Sequence, residues 1–541
     1  MLTAFQRWID RNILELGREM RLSYLPPLMV YCAAGVSTLT AIVGTFFVKD
    51  HLGLSAAFLA ALAFWAYIPW SLKMPIGHLV DLLWRYKAGL VYLGAALIAV
   101  SLLIMIGLVG KPDAMRAVMP AEAWFVLSTL LSPVGYVLQD AVADAMTVEA
   151  VPRVDEHGRP IDAGTVRLMH TTMQMLGRVA IIGGSVLVSL VNVAMFQGSE
   201  NLSETDKAAI YLRIYELALV IPLLSVSGVV LAGVLKRREA RRLAARGHSS
   251  ADIERMLHAP EEKTQANWWI LGGSAAFVAL SIGVGLSGFA YAQEIIFATS
   301  FAIIGFMIHR LLRELSPEAA RTLLGTIIVI FAFRALPLPG AGMTWWMIDE
   351  LGFDQSFLSR LDLLVSTLTL AGLFLFRRFM AEKTIVDIVI FLTLASTLLS
   401  LPAIGMFHGL HEWTAAHTGG VVDARFIALA NTALESPLGQ VSMVPMLAWI
   451  ANSAPSHLKA TFFAVMASFT NLALSASQLG TKYLNQIFTI TREVKDAATG
   501  IVATPADYGH LGALLVTVTL VGLLLPLGAI LLTRLLGLRS A

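Results

Sequence analysis

Apolar runs of about twenty residues recur about fourteen times along this chain, and they limit its fold more than any other feature. A helix that crosses bilayer hydrocarbon needs roughly 20 such residues. Only helices and closed barrels satisfy every backbone N–H and C=O there. The runs lie near 25–48, 55–79, 88–110, 121–148, 165–194 and 207–235, then 267–290 and 292–312, then 317–340, 354–376, 384–407, 424–452, 460–483 and 509–537. They predict an all-α, multi-pass membrane protein, most simply a monomer. Composition excludes several other classes. Only 14% of residues are charged, where a soluble chain carries about 25%. A net charge of +2 leaves no basic stripe for nucleic acid. The one cysteine, Cys32, allows no intramolecular disulfide. His408 and His411 have a ligand-like spacing but no third ligand, so neither metal nor cofactor is expected. No nucleophile elbow or phosphate loop marks an enzyme or an ATP-driven pump.

Lysine and arginine set the expected orientation. One set of loops holds Arg85 and Lys87, Arg153 and Arg159, the run KRREARR at 236–242, Arg310 and Arg313, and Arg377 and Arg378. The other set carries fewer, such as Lys49, Lys111 and Lys207. Both termini are therefore expected in the cytoplasm of an inner or plasma membrane. Residues 1–24 mix Arg7, Arg11, Arg18 and Arg21 with Phe5, Trp8, Ile9, Ile13 and Leu16, a pattern that suits an interfacial helix.

The chain also repeats itself. TFFVKDHLGLSAAFL starts at Thr45 and TWWMIDELGFDQSFL at Thr344, an offset of 299 residues. SPVG at Ser132 recurs as SPLG at Ser436, and Thr165, Leu176 and Gly184 recur as Thr461, Leu472 and Gly480. Helices 1–6 thus correspond to helices 9–14. The expected organisation is a segment 1–24, a six-helix bundle 25–235, a cytoplasmic linker 236–266, two inserted helices 267–312 and a second six-helix bundle 317–538. A 6+2+6 plan with parallel repeats is that of a major facilitator superfamily transporter. A channel, or a membrane protein without transport activity, is the alternative of another class.

Two motifs support a closer resemblance. PWSLKMPIGHLVD holds Pro69, Trp70, Lys73, Gly77 and Asp81, and QDAVADAMTVE holds Asp140, Asp144, Val148 and Glu149. With ATFFAVMASFTNL at 460–472, they resemble the folate–biopterin transporter family. The chain departs from it at Lys459, where an acid is expected, and in the two inserted helices, which are typical of muropeptide permeases. QDAVADA and the glycines after Arg178 also resemble those permeases. The resemblance implies a folate- or pterin-like organic anion as substrate. The alternative is a permease for muropeptides or another anionic solute.

Several residues are candidates for the work. At about 100° per residue, Asp140 and Asp144 share a face of helix 4, while Glu149 points the opposite way. A carboxylate deep in a bilayer costs roughly 2.5–3.5 kcal/mol unless it has a partner or a proton. Asp140 and Asp144 are therefore expected in a substrate and proton cavity, and Glu149 in charge pairing with Arg85, Lys87 or Arg153. Arg167, His170, Gln174 and Arg178 form one stripe on helix 5. Arg178 is expected to bind an anionic group and to pair with Asp140 or Asp144 when the site is empty. Gly177, Gly183 and Gly184 beside it permit close helix approach. Gly77, Asp81, Arg85 and Lys87 resemble the superfamily's inner-gate motif. Glu435 is a cavity candidate, and Lys73, Arg334 and Asn431 are further ones. Trp345 and Trp346 read as interface anchors. Pro337, Pro339 and Gly340 predict a break in helix 9. Proton-coupled symport is the expected mode.

Overall fold

The computed structural model describes residues 15–152, 161–199, 202–257, 266, 268–313, 315–443, 445–446, 449, 459–495 and 502–539. Most of the segment 1–24, with Arg7 and Arg11, and the loop positions Arg153 and Arg159 lie outside the described residues.

The first crossing is two pieces, α1 (Leu25–Val36) and α2 (Ala41–His51), joined by a tight turn at Ser37–Thr40. The second is α3 (Ala56–Ser71) and α4 (Lys73–Leu82). Then come α5 (Ala88–Gly110), α6 (Ala121–Ala150), α7 (Ala163–Met195), and α8 (Glu204–Ala218) running into α9 (Val220–Ala245). The inserted pair is α10 (Trp268–Leu286) and α11 (Ala292–Arg313). The second set is α12 (Pro317–Arg334) with α13 (Ala341–Asp349), α14 (Gln355–Leu375), α15 (Ile385–Phe407), α16 (Ala424–Glu435), α17 (Lys459–Ile487) and α18 (Leu511–Leu535). The one sheet among the described residues is a two-stranded hairpin, β1 (Val494–Lys495) and β2 (Val502–Thr504), in the loop after α17.

Local chemistry places the helix starts. A side-chain oxygen accepts one of the first backbone N–H groups at Ser55, Asp162, Ser203, Ser316, Asp354, Thr384 and Asp423. Ser55 caps Phe58 and Asp354 caps Phe357, at the same offset as the sequence repeat. The repeat also shows in the breaks. α1 gives way to α2 at 37–40, and α12 gives way to α13 at 335–340. Gly340 supplies the second break with a φ of 78°.

Ten helices are long and apolar enough to cross a membrane among the described residues. The remaining runs are covered by α10, α12 with α13, α16 and α17, which are shorter, broken or more polar. Proline explains two of them. Pro337 and Pro339 end α12, and Pro437 follows the end of α16. Pro133, the counterpart of Pro437, sits inside an unbroken α6.

Close approach is fixed by glycine at one crossing. A Cβ on Gly35 would overlap the Ile181 carbonyl, and one on Gly184 would sit 2.7 Å from the Cys32 carbonyl oxygen. α1 and α7 therefore pack backbone to backbone. Gly177 faces the Tyr31 ring, whereas a Cβ on Gly183 would meet nothing within 4 Å, so Gly183 takes no part. Trp345 and Trp346 are 2% and 5% exposed, inside a core with Phe353, Phe357 and Ala56, and are not interface anchors. The 3.6-residue period turns both rings to the neighbouring helices.

Alternate crossings give the bundle two faces. Residues 22–25, 82–88 and 535–539 lie at one, the terminal face. Residues 49–56 and 349–355 lie at the other, the far face. The inserted α11 sits on the seam between α3 and α17. Gln293 Nε2 donates to the Ala61 carbonyl at 3.0 Å, and Lys482 Nζ lies 2.9 Å from Glu294 Oε1.

Candidate functional site

Three helices converge on a polar cluster inside the first six. Asp140 and Asp144, one turn apart on α6, both face Lys73 at the start of α4. Lys73 Nζ lies 2.6 Å from Asp140 Oδ2 and 2.8 Å from Asp144 Oδ2. Tyr31 of α1 donates from Oη to Asp144 Oδ1 at 2.6 Å. The kink between α3 and α4, just after Pro69, lets Lys73 reach across. Two carboxylates share one ammonium, so the cluster has an acid to spare. Such a cluster holds its ions by mutual pairing, since each alone in hydrocarbon is costly.

Contrary to the expectation from the sequence, Arg178 pairs with neither acid. Lys73 already occupies both, and Arg178 turns towards the other half, its Nη1 3.9 Å from Met443 Sδ. Its charge still reaches Asp140 and Tyr31. Arg334 at the end of α12 donates from Nε to the Thr470 carbonyl at 3.2 Å and stands within electrostatic range of Arg178. Two guanidinium groups, one from each half, thus stand within reach of each other, and Arg178 is the one that also reaches the acid cluster. Of the rest of the α7 stripe, His170 is half-buried and Gln174 exposed, and the Arg167 side chain lies outside the described residues. Asn431 is half-buried with an unpartnered Oδ1, and Glu435 is exposed.

A second cluster lies at the terminal face of the first half. Glu149 accepts from Lys87 Nζ at 2.6 Å through Oε1 and from Lys236 Nζ at 2.9 Å through Oε2. Lys87 is buried, lies 3.8 Å from the centre of the Trp84 ring and donates to the Trp84 carbonyl. Burial pulls its ammonium below the ordinary lysine value, and Glu149 pushes the other way. Of the expected gate, only Lys87 and Glu149 meet. Asp81 and Arg85 are exposed, and Gly77 has open space around it.

The far face joins the halves directly. Lys49 Nζ lies 2.6 Å from Asp349 Oδ1, and Tyr508 Oη donates to Asp349 Oδ2 at 2.5 Å. Burial and the Asp349 carboxylate hold the Tyr508 hydroxyl well above the ordinary phenol value. Gln355 Nε2 donates to Tyr211 Oη at 2.8 Å, and Ser189 Oγ lies 2.5 Å from Asp362 Oδ2. The terminal-face ion pairs Lys87–Glu149, Lys236–Glu149 and Arg378–Glu382 each stay within one half.

Sequence reasoning missed Tyr31, Lys236, Asp349 and Asp362. Asp349 lay in the repeated motif, Asp362 was an acid inside an apolar run, and Lys236 opened the basic run. Nothing local marked Tyr31.

Known proteins resemble this chain in sequence and in fold. The model of the BT1 family matches residues 34–537. The folate-biopterin transporter of Synechocystis sp. is 22% identical over 477 residues, which are 87% of this chain and 76% of that protein. Among solved structures, the peptide transporter POT in complex with sulfate superposes with a TM-score of 0.59 at 14% identity, over 95% of each chain. The nucleoside transporter NupG superposes with a TM-score of 0.53 at 12% identity, over 94% of this chain and 98% of that one. These two share the fold of this chain, an all-α facilitator-type bundle.

Proposed function

This chain belongs to the BT1 family, and from that membership we propose that it is a proton-coupled secondary transporter of a folate- or pterin-type organic anion, working by alternating access. The observation that carries this reading is the Lys73–Asp140–Asp144–Tyr31 cluster with Arg178 in reach of it and Arg334 in reach of Arg178.

The chemistry fits a pterin with an acidic tail. A carboxylate accepts two hydrogen bonds from an N–H/NH2 edge in fork geometry, and guanidinium groups bind a carboxylate in the same way. The spare acid of the cluster offers one carboxylate to the ring or to a proton. An anion between Arg178 and Arg334 touches both halves at once, so its binding favours the state that brings them together. The halves, 25–235 and 317–538, rock as two bodies about this site, with 267–312 as an inserted pair and 236–266 as a linker. The far-face contacts describe a state closed on that side and entered from the terminal face. The terminal face is cytoplasmic by the Lys and Arg bias of its loops, and the protein acts as a monomer in the plasma or inner membrane.

The test is uptake by proteoliposomes. Labelled folate and biopterin are expected to accumulate under an imposed pH gradient, and collapse of the gradient by an uncoupler is expected to abolish accumulation. Equal uptake with and without the gradient rejects proton coupling. Uptake of anhydro-muropeptide in place of both pterins rejects the substrate class.

A further inference from the structure

One intramembrane acid takes no part in the site above. Asp362 lies on α14, seven residues in from Gln355, about 10 Å along the helix at ~1.5 Å per residue. It is half-buried at the seam where α14 of the second half meets α7 of the first. Its described side-chain bond is to Ser189, and it has no ion-pair partner among the described residues.

The charged groups on the helices packed around it are engaged elsewhere or cannot neutralise it. Lys49 of α2 sits on Asp349 with Asp50 beside it, the His51 ring at the end of α2 packs on Phe47, and Arg425 of α16 lies 3.5 Å from Asp354. Arg178 of α7 turns to Met443, and Arg360 on α14 itself donates to Ser356 Oγ at 3.3 Å. Glu435 of α16 is another acid. His170 and Arg167 lie towards the opposite end of α7.

The hydrogen atoms at this contact can be counted. Ser189 is fully buried, and its Oγ lies 2.8 Å from the Ser185 carbonyl oxygen, 2.5 Å from Asp362 Oδ2 and 3.3 Å from Ser366 Oγ. A serine hydroxyl has one proton to give and two lone pairs. Suppose Ser189 gives its proton to Asp362. An ionised carboxylate is then left in the seam with the one Ser189 hydroxyl as its described support and no cation among the described residues. Suppose instead that Ser189 gives its proton to Ser185. Asp362 then donates from a protonated carboxyl to Ser189 Oγ, and every group is satisfied without a charge. In a low-dielectric seam the second arrangement costs less.

We propose that Asp362 is a proton-binding site that latches the far face. Protonated, its carboxyl donates to Ser189 Oγ and holds α14 against α7. When the proton leaves to far-side water, the carboxylate follows it into solvent and the seam opens. The proposal rests on the alternating-access reading above and adds to it a proton site separate from Asp140 and Asp144.

The test uses the full chain in nanodiscs. Leu358, one turn from Asp362 and packed in the seam, is replaced by cysteine in a Cys32→Ser background, and maleimide labelling is followed. From about pH 5 to about pH 9, after correction for thiolate content, labelling is expected to speed up by roughly five-fold or more as the carboxyl loses its proton. Asp362→Asn, whose amide donates as the protonated acid would, is expected to label slowly with no pH response. Ser189→Ala is expected to label fast at every pH, and it keeps the test decisive if Asp362→Asn does not fold. A pH response that survives Asp362→Asn, or a Ser189→Ala profile identical to its parent, overturns the latch. Folate and biopterin binding is measured on the same samples by thermal shift. Lost pH response with intact binding overturns the latch alone. Absent binding with an intact response overturns the pterin reading and supports the latch.

Discussion

Lys49 and Asp349 meet across the two halves at 2.6 Å, and Asp349 is the repeat counterpart of Asp50, which lies 3.6 Å from the same ammonium. One lysine at the end of α2 therefore faces two acids that the repeat places in equivalent positions. Only one of them belongs to the other half. Breaking this pair should favour the open far face. Lys49→Ala and Asp349→Asn are each expected to raise labelling of the Leu358→Cys probe, by a factor consistent with about 1–2 kcal/mol of cross-half coupling. The swap of Lys49→Asp with Asp349→Lys should recover part of it. Equal labelling in all variants would show that the pair does not hold the seam.

Tyr508 completes this contact from the loop before α18. Its raised phenol pKa means that the folded state keeps its proton where an unfolded chain would lose it. The bond to Asp349 is thus present through neutral pH. Its stabilising contribution begins to fall above the ordinary phenol value of about 10. Tyr508→Phe should lower stability by about 0.5–1.5 kcal/mol at neutral pH, the usual net worth of one intramolecular hydrogen bond, since Asp349 keeps Lys49 and some water as partners. It should also remove that alkaline loss. Thermal denaturation from about pH 7 to about pH 11, above that phenol value, checks both, and a variant with the parent's profile contradicts the assignment.

Lys73 stands between two acids, so its removal should cost more than that of either partner. Lys73→Met leaves two carboxylates facing each other, and because the groups are half-buried a loss of about 1–3 kcal/mol is expected, below that for a fully buried pair. Adding Asp140→Asn and Asp144→Asn to Lys73→Met should restore much of it, a strongly non-additive result. Melting of the single, double and triple variants in detergent measures this. Simple addition of the losses would mean that the three groups do not act as one cluster.

How far the sequence was legible follows from the kind of information each feature needs. Apolar runs, proline breaks and capping residues are local, so the helix order and the α12–α13 break could be read directly. The 299-residue repeat carried the division into six, two and six helices. The angle between Asp140 and Asp144 is a property of one helix, and it placed both on one face. Partners are another matter. That Lys73 and not Arg178 meets the two acids depends on the kink after Pro69 and on how α4 crosses α6. No spacing encodes that. Trp345 and Trp346 failed as interface anchors for the same reason. Their amphipathic rings suit an interface, but the packing of α13 against its neighbours buries them.

Glu149 holds two lysines from different helices, Lys87 before α5 and Lys236 on α9. Glu149→Gln should leave two ammonium groups facing each other and cost about 1–3 kcal/mol. Lys236→Ala should cost less, since Lys87 keeps the carboxylate paired and Lys236 is the more exposed lysine. Chemical denaturation of the purified variants ranks them. A larger loss from Lys236→Ala than from Glu149→Gln would place the stabilising contact elsewhere.

The α1–α7 crossing gives a prediction independent of charge. Neighbouring glycines on α7 differ in what a methyl group would meet. At Gly184 it would press against the backbone of Cys32 and Gly35, which cannot move aside as a flexible side chain would, and at Gly183 it would enter open space. Gly184→Ala is therefore expected to push α1 from α7 and to destabilise by about 1–3 kcal/mol, as overpacking does. Gly183→Ala should be neutral or stabilising by up to about 1 kcal/mol, because alanine is the better helix former. The repeat sharpens the contrast. Gly480, the counterpart of Gly184, meets only the Pro337 ring, with Cβ at 3.3 Å and 3.9 Å from its atoms. Gly480→Ala should fall between the other two. Comparing the melting of the three variants decides the matter, since equal effects would mean that α1 and α7 do not cross as closely as their glycines indicate.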